Sequence, residues 1–217
     1  MKKEIGIKIV LLIFVIAMGI YCYKDRESRQ PIEVSKNLEA VIVTVDGEAL
    51  TLRDMAFYIA YQEKEVQDEA ILYNPKNPRR YWNTHTNGHF IRVLAEEAVI
   101  NMAVHDELFY RLAEENELTL TEEEEAYLAN EVLDFCGDLK EAQYERLGVT
   151  PEELEASMRK IALANKYQSI LAQMEEVPYE AYNYTGENYE AFVSGHEVEL
   201  NEAVWDRVTV GKVTVNY

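Results

Sequence analysis

The chain has 217 residues, of which 40 are acidic and 21 basic, giving a formal net charge of -19, and 48% are hydrophobic. That charge repels phosphate backbones and anionic headgroups and excludes a nucleic-acid partner. The hydrophobic content excludes wholesale disorder, and the length left after an apolar amino-terminal segment suffices for one domain with its own core.

The amino terminus carries Lys2, Lys3 and Lys8 ahead of an uncharged run, Ile9 to Tyr23. Residues 1–23 read either as an uncleaved signal-anchor with the amino terminus inside, or as a cleaved signal peptide with Ala17 and Gly19 near the cut. Either reading puts the rest of the chain outside the cytoplasm, held at the cell membrane by a single pass or secreted. Residues 24–39 are charged and polar, contain Pro31, and read as a tether. The remaining stretch, 40–217, reads as one helical domain. Cys22 and Cys136, the two cysteines, lie in different parts of the pattern and imply no disulfide framework.

From Val41 to Val45 the β-branched, alternating text predicts a strand, Asp46-Gly47 a hairpin turn, and Glu48 to Leu50 a return strand. Thr51 with Asp54 predicts a helix cap, and Leu52, Met55, Ile59, Val66 and Ala70 the apolar face of the helix that follows. Asn74-Pro75 should end it. A loop is expected over Lys76 to His89, carrying Tyr81 and Trp82. A long second helix is expected from Phe90 to about Asn116, with His105 as a packed core histidine. Thr121 and Glu124 form a capping box for a third helix that Gly137 should break or kink. Thr150-Pro151-Glu152-Glu153 is the clearest helix start, and its apolar face runs on to Met174. Beyond Pro178, Val204, Trp205, Val208, Val210, Val213 and Val215 predict one or two short strands turning at Gly211-Lys212 and pairing with the Val41 to Val45 hairpin. The fold class expected is therefore mainly α with a small β element.

No constellation for catalysis emerges. His85 and His89 are four apart, the spacing of two ligands on one helix face, but Asn87-Gly88 between them predicts a turn. There is no nucleophile elbow and no glycine-rich phosphate loop. Neither a cofactor nor a metal is expected. The fifteen tyrosines and the helical methionines are more informative, since such side chains suit adaptable contact surfaces. Tyr81, Trp82, Met102, Tyr167 and Met174 are the candidate polypeptide-binding residues.

The order of these signals resembles the amino-terminal domain of SurA/PrsA-type extracytoplasmic foldases. Val41 to Thr51 resembles their opening strand, turn and helix cap. Ala113 to Leu118 resembles the phrase that ends their long helix, with Glu117 in place of the usual glycine. Thr119 to Glu125 and Leu147 to Leu154 resemble the starts of the next helices. The resemblance spans about Ala40 to Met174 and implies a helical cradle, closed by short strands from both ends of the domain, that holds unfolded polypeptides without ATP. Too few residues follow Met174 for the prolyl-isomerase domain that many such proteins carry, so no isomerase activity is expected. The expectation is a membrane-tethered or exported holdase. The alternative is a structural or adaptor subunit of an envelope complex gripping one dedicated partner.

Overall fold

A computed structural model describes residues 30–215. The expected leader lies outside them, and no helix among the described residues is long and apolar enough to cross a membrane. The fold is mainly helical with a few short antiparallel strands.

Strand β1 (Val41–Val45) buries Ile42, Val43 and Val45 completely. It turns through Asp46 (φ 48°) and Gly47 (φ 85°) into β2 (Glu48–Thr51). Two consecutive left-handed residues make the turn whose twist suits a two-residue hairpin, which explains the Asp-Gly pair. Thr51 does not cap the next helix as expected: its amide and hydroxyl donate to Asp54, and helix α1 (Ala56–Tyr73) begins four residues later, after Met55, which makes no side-chain cap. Thr51 is still paired with Val41 in the ladder, so residues 52–55 must turn before the helix can start. Arg79–Trp82 forms a short helix, α2, inside the expected loop. β3 (His85–Thr86) and β4 (His89–Phe90) then make a second hairpin around Asn87-Gly88. His85 and His89 are thereby set on opposite strands and not on one helix face.

Helix α3 (Ile91–Glu115) is the central rod; it packs on α1, on β1 and above all on α6 (Pro151–Met174). His105 is a core residue, 6% exposed, with Nε2 3.0 Å from the Tyr182 carbonyl and Nδ1 2.8 Å from Asp106. The Thr121 and Thr150 capping boxes are both formed and start α4 (Glu122–Asp138) and α6. Gly137 does not break α4, which runs one residue past it; the interruption comes at Leu139, and a separate short helix α5 (Glu141–Leu147) follows. Gly148 (φ 75°) ends α5 with its Cα against Ser35, where a Cβ would come within 2.6 Å of backbone. That approach belongs to residues 30–39, read from sequence as tether. Here they lie on the domain: Val34 is 4% exposed in a 3-10 turn (Val34–Lys36), and the Ile32 amide donates to the Arg207 carbonyl. Ile32, Val34 and Leu38 give the segment an apolar face to bury.

The carboxy-terminal region differs most from expectation. A strand from this end does pair with β1, but it is β5 (Val198–Leu200), following a short helix α7 (Tyr189–Val193). The three-stranded order is β2-β1-β5, closed by strands from both ends of the domain. Asp46 pins the closure: the Glu197 amide donates to its Oδ1 at 2.8 Å and His196 Nδ1 lies 2.8 Å from its Oδ2. The hydrogen bond with His196 holds the Asp46 carboxyl below its ordinary pKa. Val204 and Trp205 belong to a short helix, α8 (Glu202–Trp205), and residues 208–215 are not a strand. Their valines are buried as strand text would suggest, but their amides are gathered by one side chain, Glu63 of α1, fully buried. Glu63 Oε1 accepts from the amides of Gly211, Lys212 and Val213; Oε2 accepts from the amides of Thr214 and Val215 and from the Thr214 hydroxyl. A buried carboxylate is tolerated only when so fully hydrogen-bonded. The loop turns at Gly211 (φ 92°), where a Cβ would stand 2.7 Å from the Trp82 ring.

Candidate functional site

Helix α4 is the least embedded of the long helices. Of its residues only Leu128 is buried, because its first turn is four consecutive glutamates and its apolar positions are sparse. It is held at its start by ion pairs to α6: Lys166 Nζ donates to Glu124 Oε2 at 2.6 Å, and Arg159 donates to Glu125. These contacts hold both glutamate carboxyls below their ordinary pKa. Farther along, Phe135 meets Phe57 of α1, with ring centroids 4.9 Å apart. Between these two attachments the helices stand apart.

The space left is an open groove of about 630 Å³. Phe57, Met158, Ile161 and Ala162 line it from α1 and α6; Tyr127, Leu128, Glu123 and Glu131 line it from α4. A second hollow of about 490 Å³ shares Phe57, Ile161 and Asn165 with the first and so continues it across α1 toward the Tyr179–Tyr182 turn. Tyr58, Tyr61, Met102, Tyr179 and Tyr184 line this extension. Gln168 lies there too; its Nε2 donates to the Tyr179 carbonyl and to Asn183 Oδ1, while its buried Oε1 has no partner. Most of the lining is aromatic or aliphatic, with methionines that can adjust to differently shaped side chains. Tyr127 is 67% exposed, and neighbouring Glu131 pushes the pKa of its phenol up.

The five residues expected to bind polypeptide do not converge. Met102 is half-buried in the groove's extension. Trp82 is 4% exposed and belongs to the core: its Nε1 donates to Gln67 and its ring covers Gly211. Tyr81 is half-buried, its hydroxyl donating to Glu69, a bond that pushes its pKa up to about 12. Tyr167 packs toward Phe109, and Met174, 75% exposed, ends α6 outside the groove. Sequence reading missed Phe57, Tyr127 and Ile161. The signal for Tyr127 was present: it stands between Glu123 and Glu131, off the stripe that runs through Leu128.

Among the described residues no cluster of three or more His, Cys, Asp or Glu side chains is arranged to hold a metal ion. Set against protein-family models, characterised proteins and solved structures, the chain matches none.

Proposed function

We propose that this protein is an ATP-independent holdase of the SurA/PrsA type, working outside the cytoplasm and attached to the membrane by its amino terminus or released after cleavage. It binds unfolded or partly folded polypeptides and does not catalyse prolyl isomerisation. The observation that carries this reading is the groove: an open trough between α4 and α6, floored by Phe57, Met158 and Ile161 and continued past Tyr58, Tyr61 and Tyr179, whose lining suits apolar segments of another chain. The order of strand, hairpin, long helix and capped helices, matching the motifs of that family, supports it.

The test is aggregation of an unfolded client diluted from denaturant, followed by light scattering with the full-length chain present. Suppression at near-stoichiometric ratios is expected. Tyr127→Ala combined with Leu120→Ala, two lining residues that are not buried, should weaken the effect about three-fold or more, as loss of interface anchors does. No suppression with several unrelated clients, together with recovery of one stoichiometric partner, would replace the holdase reading with that of a dedicated adaptor subunit.

A further inference from the structure

On the reading that the groove holds polypeptides, we infer that its preferred occupant is a segment with an apolar side chain flanked on both sides by lysine or arginine. Glu123, Tyr127 and Glu131 are spaced by four residues on α4 and therefore lie in one row along the groove wall. At 1.5 Å of rise per residue the two carboxylates are about 12 Å apart along the helix, with the exposed tyrosine ring between them. Neither glutamate has a cationic partner among the described residues, unlike Glu124 and Glu125 beside them. The cation on the opposite wall, Lys166, is already engaged by Glu124 Oε2 and the Thr119 carbonyl, at 2.6 and 2.9 Å. The wall thus presents two carboxylates without a cationic partner, Glu131 meeting only the Tyr127 hydroxyl, on either side of the Tyr127 ring and above a floor made by Phe57, Met158 and Ile161. An extended chain rises about 3.3 Å per residue, so cations about four residues apart would meet both carboxylates while the residue midway lies against Tyr127.

The experiment is fluorescence anisotropy of labelled peptides with the full-length chain at about 20 mM salt, where surface charges are little screened. Three peptides share one apolar sequence and carry Lys, Gln or Glu at the two flanking positions. The Lys peptide should bind about five-fold more tightly than the Gln peptide, the sum of two modest ion pairs, and the Glu peptide most weakly. Glu123→Gln with Glu131→Gln should remove the Lys preference. Glu141→Gln with Glu145→Gln, exposed residues of α5 away from the groove, removes the same net charge and should keep it. Far-UV circular dichroism reports that both variants are folded. Equal binding of all three peptides overturns this inference and leaves the holdase reading standing. Loss of the preference in both double variants overturns it too, by assigning it to overall charge. Binding of none of the three overturns both.

Discussion

Glu63 shows how one residue can replace an element. It sits in the apolar stripe of α1, between Ile59 and Val66, where a carboxylate would be forbidden unless something bound it. That misplaced charge was the legible signal. What it bound was not, since its six donors come from residues about 150 positions away. Because Glu63 accepts from all five amides of 211–215, of which only that of Lys212 also reaches a carbonyl, at Thr209, Glu63→Gln puts an N–H where an acceptor is needed. It should cost about 3 kcal/mol or more, seen as a fall in Tm of about 6 °C or more. An unchanged Tm would mean the carboxylate is not what holds the carboxy-terminal loop. Glu117 makes the opposite case. It closes α3 in the left-handed region (φ 53°), with the Leu118 amide donating to Ala113 and its own to Glu114. This is the helix-ending motif that favours glycine, the residue that the resemblance to the foldases implies at this position. Glu117→Gly should stabilise by about 0.5–1 kcal/mol, the left-handed strain of a side chain exceeding the added freedom of glycine in the unfolded chain. Denaturant midpoints would measure it, and a destabilised variant would contradict it.

At the scale of elements, what the sequence reading got right is local and what it missed is not. The Asp46-Gly47 turn and the capping boxes of Thr121 and Thr150 are settled by residues three or four apart, and they formed. The valines of 208–215 have the alternation of a strand and are buried like one, but alternation reports burial and not hydrogen-bond partners; Glu63 took the amides a neighbouring strand would have used. The β1 edge was filled instead by β5, whose three residues carry too little pattern to be read. Docking of α4 on α6 makes a pH prediction. Glu124 and Glu125 have carboxyls held below the ordinary 4.5 by Lys166 and Arg159. A lowered folded-state pKa gives stability that is fully present above the unfolded value and is lost as pH falls through the folded one. Acid also relieves the repulsion of a chain with net charge -19, which acts the other way, so the comparison must be between proteins. Below pH 4.5 wild type should lose stability faster than Lys166→Gln with Arg159→Gln, and above it the two should differ by a constant amount. Parallel curves of Tm against pH would refute a role for these pairs.

For the molecule as a whole, the fold class was legible because helix length, caps and the hairpin are written locally. The groove was not, because it is defined by where helices fail to touch. Tyr81, Trp82 and Met174 looked like contact residues by type, but tertiary packing put the first two against α1 and the carboxy-terminal loop and left the third at a helix end. Ile161 looked like an ordinary stripe residue and Phe57 fell off the stripe of its helix, yet both line the trough. On the proposed function, unfolded chains lie between α4 and α6. Site-specific photo-crosslinking tests it with two matched positions: Tyr127, 67% exposed in the groove, and Tyr73, 60% exposed at the end of α1. A photoreactive phenylalanine analogue replaces each in turn, and an unfolded client is added before illumination. Client adducts are expected at Tyr127 in at least about five-fold excess over Tyr73, the advantage of a contact residue in the bound complex over a chance encounter. Equal yields at the two positions would contradict it.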